Sequence, residues 1–186
     1  MQYTFNIKKT IQAASLLLRC EDGTMSYMKL IKLLYIADRE SIKETGRPMT
    51  GDMHFALPHG PVLSHTLDLI KQKHTCTWEW STFIETNGMD AVTTDADPGI
   101  GDLCRWDLRK LREISEKYKG LDQWDLREIT HRFPEYIQND PANTDSNSNP
   151  IGLHDILTAL NMEDQEAEIL EDLQEMKKHE ALFSGG

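Results

Sequence analysis

The sequence predicts a mainly α domain of the α+β class: a compact helical domain of six or seven helices with a small antiparallel β-sheet or hairpin inserted. Three observations carry this expectation. Apolar residues recur at helical spacing along most of the chain. Only two of the 186 residues are valine, a β-branched residue that fills sheet interiors, so a large sheet is excluded. A single Asn-Gly pair, Asn87-Gly88, sits between two short runs of strand character and supplies the positive φ angles of a tight hairpin turn.

The elements follow in order. Ile7, Ile11, Ala14 and Leu18 form one stripe of a first helix over about 6–19, broken at Glu21-Asp22-Gly23. A second helix runs from about Ser26 to Thr45, with Ser26 as N-cap and Gly46 as the left-handed C′ residue ahead of Pro48. Met28, Ile31, Leu34 and Tyr35 share a face, while Leu30, Leu33 and Ile36 cover much of the rest. A helix apolar over most of its circumference is packed on several sides, with Lys29 and Lys32 carrying their charged heads to the surface.

Met53 to Leu57 reads as an extended piece, the candidate third strand for the hairpin built from 82–86 and 89–93. Pro58-His59-Gly60-Pro61 is a stiff turn, with Pro61 at or near the first turn of a third helix containing Val62, Leu63, Thr66, Leu67 and Ile70. Leu108, Leu111, Ile114 and Tyr118 mark a helix ending at Gly120. Asp122 caps the next helix, Asp125 lies in its first turn, and it stops before Pro134. Residues 139–150 read as a loop, followed by a short helix over 153–160 and a last acidic helix with Ile169, Leu173 and Met176 on one face. The tail from Phe183 is expected to fray. The domain organisation is therefore 1–162 as one domain and 163–186 as an acidic helix and tail.

Charge is unevenly spread. The net charge is −11, yet residues 1–75 are net +3, residues 76–140 net −6 and residues 141–186 net −8. An acidic C-terminal two-thirds repels phosphate, so direct nucleic-acid binding is not expected, and acidity favours a basic protein partner. No apolar run approaches a membrane span and no signal-peptide h-region is visible. Cys20, Cys76 and Cys104 are odd in number and widely spaced, which fits a reducing cytoplasm.

Catalytic motifs are missing from the sequence. His54, His59, His65 and His74 lie near Cys76, but no Cys-x-x-Cys pair or His-Glu-x-x-His helix accompanies them, so they read as turn and surface histidines and no metal or other cofactor is expected. His131 and Glu135 are four apart with Pro134 between them, so His131 reads as a residue that pins the turn. Asp95, Asp97 and Asp102 lack the order of a calcium loop. No phosphate-binding glycine fingerprint occurs.

The stretch from Leu30 to Ile70 resembles a known family. Lys29 to Glu40 in the second helix, Thr45-Gly46-Arg47-Pro48 at its end, Gly51-Asp52, and Pro58-His59-Gly60-Pro61-Val62-Leu63-Ser64 together resemble the Panacea, or SocA-like, antitoxin domain. Thr130-His131 followed by Pro134-Glu135 is also similar to the family, with Tyr136 where relatives often carry Trp. The resemblance implies a bacterial or phage antitoxin that binds a cognate protein toxin and has no catalytic residues. In one branch it implies an adaptor that hands the toxin to a ClpXP-type protease; an interaction protein of a phage or mobile element without a toxin is the further alternative. The expected partner-binding residues are His59, Gly60 and Pro61, which shape the surface, and Asp38, Arg39 and Asp52, which add polar contacts. Ile169, Leu173 and Met176 form a second candidate contact on the acidic helix.

Overall fold

The computed structural model describes residues 3–183, and of positions 176, 177 and 179–183 the backbone alone. The expected contact of Met176 and the expected fraying beyond Phe183 lie outside the described residues. In chain order the elements are α1 (Ile7–Arg19), β1 (Thr24–Ser26), α2 (Tyr27–Thr45), β2 (His54–Leu57), β3 (Gly60–Leu63), α3 (Ser64–Ile70), α4 (Thr77–Phe83), β4 (Ile84–Asn87) and β5 (Asp90–Thr93). There follow α5 (Arg105–Lys117), α6 (Gln123–His131), α7 (Pro134–Gln138), β6 (Asn149–Ile151), α8 (Leu153–Ala159) and α9 (Glu166–Phe183). Among the described residues the domain is mainly helical, with nine α-helices and two small antiparallel sheets of three strands each.

Helix α2 is the central post. Every residue from Lys29 to Asp38 is buried, because α1, α5, α6 and β3 surround it. Its ends are set locally. The Ser26 hydroxyl accepts the Met28 amide at 3.3 Å, and Gly46, at φ 71°, returns its amide to the Ile42 carbonyl at 2.9 Å. Leu17, Leu18, Leu63, Leu111, Leu126 and Ile156 close the core around its Leu30 and Leu34. Truncating one such leucine to alanine costs about 2–5 kcal/mol, because the cavity collapses only in part.

The sheets depart from expectation. The Asn87-Gly88 hairpin forms, but its third strand is Thr24–Ser26, in the order β1-β5-β4. Met25 faces Ala91 there and both are buried. Met53–Leu57 is not part of that sheet. Its residues 54–57 turn back at Pro58-His59 to pair with β3, and on the other side with β6, in the order β3-β2-β6. Asn149 and Pro150 of strand β6 lie in the stretch expected to be loop. The hairpin strands are also shifted, because Thr82 and Phe83 finish α4, which sinks Trp80 to 1 % exposure and leaves Trp78 at 72 %.

The apolar stripe of α9 packs on its own domain. Ile169 sits against Gly46, where an added methyl would lie 3.1 Å from Ile169 Cγ1, and Leu173 is buried beside the chain that leaves α2. His154 and Glu166, 2.7 Å apart, tie α8 to the start of α9. No helix among the described residues is long and apolar enough to cross a membrane.

A rigid corner over a cleft as candidate partner-binding site

The corner is the β2–β3 hairpin. Leu57 pairs with Gly60, leaving Pro58 and His59 as an exposed two-residue tip. Gly60 has φ 96°, a conformation open to glycine and strained for other residues. Pro61 does not open a helix, as the sequence suggested. It lies in β3, an edge strand, where a residue without an amide proton is tolerated. Helix α3 begins three residues later, and its first amides are not free. The carboxylate of Asp52 accepts the amides of His65 at 2.9 Å and Thr66 at 2.8 Å, together with the Thr66 hydroxyl at 2.7 Å. Asp52 is buried and acts as the cap of α3 from a distant loop.

Behind the corner stands Lys32. It is 1 % exposed, and its ammonium donates to the Pro61 carbonyl at 2.7 Å. The other buried or half-buried lysines and arginines among the described residues have carboxylate partners: Lys29 with Glu21, Lys9 with Asp107, Arg39 with Glu135, Lys110 with Glu44 and Arg127 with Glu128. Lys32 has a carbonyl instead, and burial, helped by the nearby Arg127 charge, pulls it down to about 7. A methyl on Gly60 would lie 2.7 Å from Lys32 Nζ and 2.9 Å from His131 Cδ2, so only glycine lets the strand approach both side chains.

His131 ends α6, and its ring packs against Tyr136 with centroids 4.5 Å apart. The Tyr136 hydroxyl donates to the Leu57 carbonyl at 3.0 Å, which pins α7 to the hairpin, and burial pushes it up to about 12. Burial first, then the charges of Arg127 and Lys32, hold His131 below its ordinary value. His131 Nε2 and Arg127 Nε are both buried, and neither has a hydrogen-bond partner among the described residues. They line a cleft of about 450 Å³ together with Pro58, Tyr136 and the 140–147 loop, which contributes Asp140 and Asp145. The Arg127 guanidinium is paired through Nη1 with Glu128 at 2.6 Å, and its Nε–H can only donate, so a group that meets it must bring an acceptor.

A second polar strut braces the corner from below. Arg39 Nε donates to Glu135 Oε1 at 2.7 Å, the Tyr35 hydroxyl reaches the same oxygen at 3.3 Å, and the guanidinium lies over the Phe133 ring. Asp38, fully buried, accepts the amide and hydroxyl of Thr50 at 2.8 and 2.6 Å, and His54 Nε2 stands 3.4 Å from it.

The expected partner-binding residues thus fall into two groups. Asp38, Asp52, Gly60, Pro61, Ile169 and Leu173 are buried, and Arg39 is committed to Glu135. His59 is exposed at the tip. Of the four clustered histidines, His65 and His74 meet around Phe5, His54 turns inward to Asp38 and His59 faces out. Among the described residues no three His, Cys, Asp or Glu side chains gather as metal ligands, and the three cysteines are free. Arg127 and the inward role of Lys32 escaped the sequence reading. A lysine in the middle of an all-round apolar helix is itself a signal of a buried amine, whereas nothing local marks Arg127.

Fold and corner together define a mainly helical domain held by buried polar struts between α2, the β2–β3 hairpin and α6–α7. The model of one family, described as antitoxin SocA-like, Panacea domain, matches residues 30–137, which spans these struts, and the chain belongs to that family. Comparison with curated proteins and with solved structures returns no match.

Proposed function

We propose that this protein is the antitoxin of a toxin–antitoxin pair and neutralises a protein toxin by direct contact at the corner. The observation that carries the reading is the family match over the residues that build the corner. The geometry supports it. The Pro58-His59 tip is presented on a backbone that Gly60, Lys32 and Tyr136 leave no room to move, beside a cleft lined by two residues, Arg127 and His131, each with a buried ring or guanidinium nitrogen that has no partner among the described residues. A preorganised surface of this kind binds without a large ordering cost. The buried members of the signature position the corner, and His59, Arg127 and His131 meet the toxin.

Co-expression with the toxin encoded beside this chain tests the reading. Growth restored with copurification of the two proteins is the expected outcome. Growth restored only in a host with an active ClpXP-type protease, and no stable complex, points to delivery for degradation in place of occlusion. A harmless neighbour overturns the antitoxin reading.

A further inference from the structure

The stretch 76–104 contains six carboxylates and no Lys, Arg or His. Among the described residues Asp97 alone of the six has a cationic partner, Arg19 at 2.9 Å; Glu79, Glu85, Asp90, Asp95 and Asp102 have none. Five large apolar side chains are exposed on the described surface, and three of them, Trp78, Met89 and Ile100, lie in this stretch. Trp78 is 72 % exposed and edges a groove of about 400 Å³ whose floor is Ile11, Phe83 and Pro98.

The groove is built, not loose. Gln12, 6 % exposed, donates to the Pro98 carbonyl at 3.2 Å and to Asp102 at 2.8 Å, which holds the loop against α1. Thr94 donates its amide to the Phe83 carbonyl at 3.0 Å and its hydroxyl to the Thr82 carbonyl at 2.7 Å, which brings Asp95 to the end of α4. Glu79 and Asp102 therefore stand on the rim, with Asp95 following Thr94 beside it and Lys8 as the one cation on the lining. An exposed tryptophan over an apolar floor is the side chain that most often anchors a protein interface. Unneutralised carboxylates around it set the sign of what docks: like charges repel an acidic partner and steer a basic one.

We infer that the Trp78 face docks the toxin through a basic segment that carries an apolar side chain into this groove. The inference rests on the antitoxin reading for the identity of the partner, and it adds a contact distinct from the corner. A second copy of this chain is the rival occupant.

The probe is an amphipathic leucine–lysine peptide, with a leucine–glutamate counterpart, titrated into the full-length protein and followed by amide and indole chemical shifts. The lysine peptide is expected to move the Trp78 indole and the amides of Ile11, Thr82 and Phe83, and to weaken with salt. Trp78→Ala, and separately E79K with D95K, are expected to weaken it about tenfold or more, with the melting curve unchanged because Trp78 and Asp95 are exposed and the Gln12–Asp102 contact is left intact. Trp78→Ala is expected to weaken toxin binding by the same order. Shifts confined to the acidic α9, equal binding of both peptides, no binding, or a toxin affinity that ignores Trp78→Ala overturns the inference. A concentration-dependent dimer abolished by Trp78→Ala overturns it in favour of the second copy. The peptide arm needs no toxin, so failure of the antitoxin reading is read separately.

Discussion

The ammonium of Lys32 donates to the carbonyl of Pro61 at 2.7 Å, and no carboxylate among the described residues pairs with it. This buried lysine pins the edge strand of the corner to the central helix. The contact also makes a charge state part of the fold, because the same nitrogen lies against the one position, Gly60, where the strand carries no side chain.

That burial sets a pH dependence. Lys32 falls from 10.5 to about 7 on folding, so between those values the unfolded chain binds a proton that the native chain does not. Stability contributed by this group therefore rises with pH from about 7 towards 10.5, with a slope of at most about 1.4 kcal/mol per pH unit. Below about pH 7 the native state carries the charged amine at full desolvation cost. Urea unfolding across this range is expected to show the rise, and Lys32→Met to flatten it. An unchanged slope in the variant contradicts the assignment.

Gly60 and Gly88 both have positive φ, at 96° and 64°, but only Gly60 faces crowded side chains. Gly88→Ala is expected to cost the backbone strain alone, about 1 kcal/mol. Gly60→Ala adds a methyl 2.7 Å from Lys32 Nζ and is expected to cost about 1–3 kcal/mol more as the strand shifts. Thermal melts of the pair separate the two effects, and equal losses would remove the close-approach argument.

Glu135 is fully buried and depends on Arg39. Arg39→Ala leaves an uncompensated carboxylate with only the Tyr35 hydroxyl beside it, and is expected to cost about 3–5 kcal/mol. The double change Arg39→Met with Glu135→Leu removes the charge as well as the pair and is expected to cost less than Arg39→Ala alone. Chemical denaturation of the three proteins checks the order. A double variant worse than the single shows that the pair itself, and not the orphaned charge, carries the energy.

At the tip, His59→Ala is expected to weaken toxin binding about tenfold while leaving the melting curve in place, because the side chain is exposed. Arg127→Ala is expected to act in the same direction through the unpartnered Nε in the cleft. Binding curves for the two variants against the same toxin are the check. Wild-type affinity in both would move the contact away from the corner.

Much of the helical frame was legible in the sequence, because caps are local. Ser26, Gly46 and Asp122 each do what their side chain or backbone dictates within four residues, and Asp122 accepts the amides of Trp124 and Asp125 at 2.7 and 2.9 Å. The Asn87-Gly88 turn is local in the same sense. Strand partners are not. Thr24–Ser26 and Asn149–Ile151 are three residues long, too short for an alternating pattern, and their pairing is decided by helices that bring them to β5 and β2. The cap of α3 was missed for the same reason: Asp52 is twelve residues ahead of Ser64, and a local reading credits Pro61 instead. The signature residues were recognisable as a set, but that most of them face inward depends on packing around α2, which no single segment contains. Composition showed acidity, yet the unneutralised rim around Trp78 emerges only when Gln12 folds the 98–102 loop onto α1.

The most direct measurement is a calorimetric titration of the purified toxin into the purified full-length protein, with no protease present. The account predicts a saturable complex of defined stoichiometry that silences the toxin in a purified assay, weakened about tenfold by His59→Ala. Absence of heat and of inhibition, with growth protection that survives only in cells containing the protease, would contradict neutralisation by direct contact.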